Sequence, residues 1–101
     1  MEDNTNKVYN SQKFKSDLSR WNVSNVSTME MMFDNCKEFN SDLSKWDVSN
    51  VEDMYGMFWN CHKFNCDLSN WNVKKNLDKR NMFNGCTTLE KNNKIPEWYS
   101  N

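Results

Sequence analysis

Large apolar residues recur along this chain at a fixed step. Phe14, Phe39 and Phe64 lie 25 residues apart, as do Leu18, Leu43 and Leu68; Trp21, Trp46 and Trp71; Val23, Val48 and Val73; Phe33, Phe58 and Phe83; and Cys36, Cys61 and Cys86. Between them the polar positions keep the same step, Asp17, Asp42 and Asp67 among them. Aligned without gaps, residues 14–38 and 39–63 agree at 15 of 25 positions, and 39–63 and 64–88 at 11 of 25. Chance would give about one or two, so the period is a property of the fold. A unit of this length cannot hide its own apolar face and buries it against its neighbours.

Within each unit the pattern predicts two elements. Leu43-x-x-Trp46-x-Val48 has the spacing of a short strand in leucine-rich repeats. Trp46 and Val48 then face one side, and Lys45, Asp47 and Ser49 the other. Met29, Met32, Phe33 and Cys36 follow at i, i+3, i+4 and i+7, the stripe of a short helix. Ser27 and Glu30 have the spacing of a capping box, and a residue such as Asn60 or Gly85 can end the helix. The expected fold is an α/β solenoid, leucine-rich-repeat-like. It has three strand–helix coils (14–38, 39–63 and 64–88), an N-terminal half-repeat cap over 1–13 and a C-terminal cap over 89–101. In the last, Ile95, Trp98 and Tyr99 form a plug. The third unit decays: Asn76 replaces Val26 and Val51, Lys79 replaces Met29 and Met54, and Leu77 substitutes for the lost valine by a slip of one residue.

The string F-N-x-D-L-S-x-W-D-V-S-N-V-x-x-M-x-x-M-F-x-x-C, carried from Phe14 to about Leu89, resembles the BspA-like repeat, also known as DUF285. That family is met in bacterial surface proteins, mycoplasma lipoproteins, protists and giant viruses. The resemblance implies a leucine-rich-repeat-like solenoid, and in some members a surface adhesin.

Composition narrows the function. Lys plus Arg is 13 and Asp plus Glu is 14, for a net charge of −1, which gives no basic footprint for nucleic acid. No apolar run approaches the roughly 18 residues of a membrane span. The polar segment MEDNTNKVYNSQKFK lacks the apolar core of a signal peptide. An intracellular or virion-associated place is therefore expected over a secreted one.

The candidate chemistry is sparse. Cys36, Cys61 and Cys86 form one column on the apolar stripe, expected as buried, reduced thiols; Cys66, aligned with Ser16 and Ser41, is expected at the surface. Cys61-His62-x-x-x-Cys66 lacks a fourth metal ligand, and His62, the single histidine, has no nucleophile paired with it. Asp17, Asp42 and Asp67 occur in every unit, as residues that bond the backbone of their own turn do. No catalytic residue, metal or cofactor is expected. What varies between units is the surface. Tyr55 and Trp59 stand at positions that are polar in the other units, and Arg20, Lys45, Asp47 and Asn72 lie on the outward side of the predicted strands. Exposed aromatics of this kind are typical binding anchors. The chain reads as a non-enzymatic, solenoid protein-interaction module, a monomer or weak end-to-end oligomer. The alternative is a structural, surface or virion protein that assembles by stacking, or an adhesin-like one.

Overall fold

Each unit begins by folding back on itself. The carboxylate of Asp17 accepts the backbone N–H of Ser19 at 2.9 Å, and Asp42 and Asp67 do the same with Ser44 and Ser69. These Asx turns tighten the chain so that the N–H of Trp21, Trp46 and Trp71 reaches the carbonyl three residues back, on Leu18, Leu43 and Leu68. A second turn follows, with Val26 and Val51 donating to Val23 and Val48. The computed structural model describes residues 13–100; the half-repeat cap expected over 1–13 lies outside the described residues but for Lys13.

The expected α/β solenoid does not form. Among the described residues there is no strand, and helix is confined to α1, Thr87–Lys91, which begins at the end of the third unit, and a 3-10 turn, Glu97–Ser100, beyond it. The radius of gyration is 12.1 Å, the value of a compact domain of about this length. Two physical causes displace the predicted elements. The Leu43–Trp46 spacing is a four-residue turn, which leaves no run of extended backbone; Trp46 and Val48 are nonetheless buried, and Lys45 and Asp47 exposed. The Met29–Cys36 stripe is broken by left-handed residues. Met31, Gly56 and Asn81 occupy one position of the unit with φ of 53°, 57° and 57°, and Asn35, Asn60 and Gly85 another with φ of 63°, 62° and 79°. Each is the third residue of a turn closed by the donations Met32 to Met29, Met57 to Met54, Met82 to Lys79, Cys36 to Phe33, Cys61 to Phe58 and Cys86 to Phe83. That place in a type II turn demands positive φ, which Gly and Asn tolerate best. The capping box is absent as well: the Thr28 hydroxyl, not Ser27, accepts the Glu30 N–H at 3.3 Å.

The backbone donors freed by those turns point to the next unit. The N–H groups of Met29, Met31, Phe33 and Asn35 donate to the carbonyls of Asp53, Tyr55, Met57 and Trp59 at 2.6–2.9 Å. Those of Met54, Gly56, Phe58 and Asn60 donate to Asp78, Arg80, Met82 and Asn84 at 2.7–2.9 Å. Among the described residues, only Thr28, Asp53 and Asp78 meet as isolated parallel bridges. Side chains tie the units in the opposite direction, each reaching 28 residues back to the preceding unit. The indole N–H of Trp46 donates to the Leu18 carbonyl at 3.0 Å and that of Trp71 to Leu43 at 2.8 Å. The thiols of Cys61 and Cys86 donate to the carbonyls of Phe33 and Phe58 at 3.0 and 2.9 Å.

The core lies inside this stack. Phe33, Phe58 and Phe83 form one ring column with centroids 5.6–5.7 Å apart, and Phe14, Phe39 and Phe64 a second with centroids 5.7–5.8 Å apart. The columns meet at 4.1 Å between Phe33 and Phe39 and at 4.3 Å between Phe58 and Phe64. Leu18, Leu43, Leu68, Val23, Val48, Trp46, Trp71 and the three column cysteines are buried; Phe14, Trp21 and Val73 are partly so. Val73 is looser because the third unit makes its second turn one residue late: Leu77 donates to Lys74 and is itself buried. Beyond it Leu89 is buried, Trp98 stacks on Trp71 at 6.2 Å and donates its indole N–H to Leu68, and Tyr99 meets the edge of Phe83 at 5.0 Å.

Candidate docking surface

The turns that carry the left-handed residues also set the exposed aromatics. Tyr55 and Trp59 flank the tight turn at Gly56, half-buried, with their rings edge to face at 6.2 Å and 82°. They do not share a helix face, since no helix forms there. Trp59 folds back across Gly56: a Cβ at Gly56 would lie 3.1 Å from Cε3 of Trp59 and 3.3 Å from Cγ of Met31 in the preceding unit. Trp59 thus packs across Gly56 and remains partly exposed. The Arg80 guanidinium, at Tyr55's position one unit on, sits 5.2 Å from the centroid of the Tyr55 ring. Arg80 is also held by Asp78 through two contacts of 3.0 Å, which raise its pKa further and depress that of Asp78.

The outward residues form a separate row. Arg20, Lys45, Asp47 and Asn72 are exposed but line no sheet, and no hydrogen bond or ion pair joins any two of them. Asp47 is used by its own turn, accepting from the Ser49 hydroxyl at 2.6 Å and its N–H at 3.1 Å; these bonds hold its carboxyl below the ordinary range. Asp17 and Asp67, through the Ser19 and Ser69 backbone, and Asp42, through the Ser44 hydroxyl, are shifted the same way.

The thiols are shielded. Burial pushes the Cys61 and Cys86 thiols up, Cys86 to about 12. Cys66 is half-buried beside a shallow polar depression of about 350 Å³, lined by Asn40, Ser41, Asp42, Ser44, Asn65 and Asp67. Burial, with the Asp42 carboxylate at 3.5 Å, pushes it up to about 11. All four cysteines are free, and among the described residues no group of His, Cys, Asp and Glu is disposed to hold a metal ion. Among the same residues no helix is long and apolar enough to cross a membrane.

The sequence identifies Glu30, Arg80, Asp34 and Asn84 as the polar counterparts of Tyr55 and Trp59 in the other units; it does not reveal that Arg80 lies over the Tyr55 ring or that Met31 sits beside Gly56. Compared with known proteins, residues 2–98 match a family described as "Mycoplasma protein of unknown function, DUF285". No curated protein and no solved structure matches the chain.

Proposed function

The chain belongs to the DUF285 family, and we propose that it is a non-enzymatic module that docks a protein partner through the face bearing Tyr55 and Trp59. One observation carries this reading: two half-exposed aromatics in contact, at positions that are Glu30 and Asp34 in the first unit and Arg80 and Asn84 in the third. Residues common to all units serve the stack, so a site for one partner falls where the units differ. Aromatic anchors with an apolar body and a polar tip dominate such interfaces. A non-enzymatic role is supported by how the reactive groups are used. The aspartate column is engaged by its own turns, and the buried thiols donate to backbone carbonyls. End-to-end growth is disfavoured at one end, where Trp98 and Tyr99 cover Trp71 and Phe83.

Partner capture from the source cell, comparing the native chain with Trp59→Ala, tests the reading. The variant should lose its partner at least about tenfold. Its own stability should fall by only about 1 kcal/mol, because the indole is half-buried. Retention of every partner by Trp59→Ala, with the variant folded, would exclude this face.

A further inference from the structure

The aromatic face is surrounded by unequal charge. Glu30 and Asp34 occupy the positions of Tyr55 and Trp59 one unit earlier, Asp53 bonds the Tyr55 backbone, and Arg80, over the Tyr55 ring, is held by Asp78. Arg80 is already engaged by Asp78, with Asp53 contributing to its field. Asp53 accepts the Tyr55 N–H at 2.9 Å. Among the described residues the carboxylates of Glu30 and Asp34 have no salt-bridge or hydrogen-bond partner. Asp34 is the more telling of the two. It occupies Trp59's position one unit earlier, and the bond from Asn35 N–H to the Trp59 carbonyl, 2.6 Å, holds the two positions side by side. Asp34 is partly desolvated, which raises its pKa, and no positive group offsets the shift.

We propose that this face binds an arginine-bearing basic segment of a partner protein, with a guanidinium laid on the exposed part of the Trp59 ring and its charge met by Asp34 and Glu30. The proposal rests on the docking reading above and gives the partner its chemistry. The molecule already contains one such arrangement: Arg80 lies over the Tyr55 ring while a carboxylate holds it in two-point contact. Trp is a better π-face than Tyr, and Arg the commoner cation over it. A planar guanidinium can stack and bond a carboxylate at once, which an ammonium does less well. A phosphate-rich partner is disfavoured, since it would face the same carboxylates.

The test titrates the intact chain with hexa-arginine amide, following ¹⁵N–¹H resonances including the indoles, with hexa-lysine amide and hexa-glutamate as controls. Hexa-arginine should shift the Trp59 indole and the amides of Met31 and Asp34. It should bind more tightly than hexa-lysine, and hexa-glutamate should not bind. The double variant Glu30→Gln, Asp34→Asn should weaken it about tenfold with the melting temperature held, because both side chains are exposed or half-exposed. Equal affinity in the double variant overturns the proposal, as do shifts that map to the Asn40–Asp67 depression or no binding by hexa-arginine. If a Trp59-dependent partner is still captured from the cell in that event, the charge assignment alone fails. If none is, the docking reading falls with it.

Discussion

At the scale of single residues, the thiols show how position overrides identity. Cys66 replaces a serine: its equivalent Ser41 accepts the Leu18 N–H at 2.9 Å and contacts Asp17 at 3.3 Å. Cys66 keeps the second contact, to Asp42, and its raised pKa follows from burial next to that carboxylate. A thiolate is the reactive form, and its population grows about tenfold per pH unit below the pKa. Alkylation of the native chain should therefore reach about one thiol, at Cys66, and its rate should climb without a plateau through the ordinary thiol range toward pH 11. A plateau near an unperturbed thiol pKa of about 8.5, or native labelling of Cys61, would contradict the placement. The candidate surface was half legible at this scale. Tyr55 and Trp59 stand out as aromatics in polar columns, but their charged surroundings become visible only when neighbouring units are laid in register.

At the scale of elements, the apolar spacing i, i+3, i+4, i+7 suits two structures equally well. A helix places those residues on one stripe, and so do two successive turns with a left-handed third residue. The discriminating signal was the polar column, where Asn and Gly recur at 35, 60 and 85 and Gly and Asn at 56 and 81. Met31 concealed it, because methionine does not advertise positive φ. The 25-residue step and nearly every buried position were legible because burial depends on period; element type was not, because it depends on backbone torsions. Gly85 is the sharpest test. A Cβ there would run into Oδ1 of Asn60 and lie 3.1 Å from its Cα, a backbone atom that cannot step aside. Gly85→Ala should lose on the order of 2–4 kcal/mol in a denaturant titration, from the left-handed torsion and the overpacking together. Gly56→Ala should lose less, since its close contact is the movable Trp59 ring. A neutral Gly85→Ala would refute the turn geometry.

At the scale of the whole molecule, stability is shared between levels of the stack. A sequence reading makes Trp46 the most critical indole because its unit is central. The structure places Trp98 on the outer side of Trp71, so Trp46 and Trp71 are each 5% exposed and each bonded to the preceding unit. Trp46→Ala and Trp71→Ala should therefore cost about the same, on the order of 3–5 kcal/mol, with the half-buried Trp21→Ala below both. Thermal or denaturant unfolding in which Trp71→Ala resembles Trp21→Ala would show that Trp98 gives no cover.

The backbone bonds that leave the left-handed turns keep one offset, an N–H in one unit donating to a carbonyl 24 residues on, as from Met29 to Asp53 and from Met54 to Asp78. That regularity has a genetic side. Unequal crossing-over that adds or removes one whole unit in frame leaves the remaining junctions with the partners they had, so the gene can change the height of the molecule in single steps. Gain or loss of codons that do not make whole units moves the left-handed positions onto residues that resist them, and selection would see it at once.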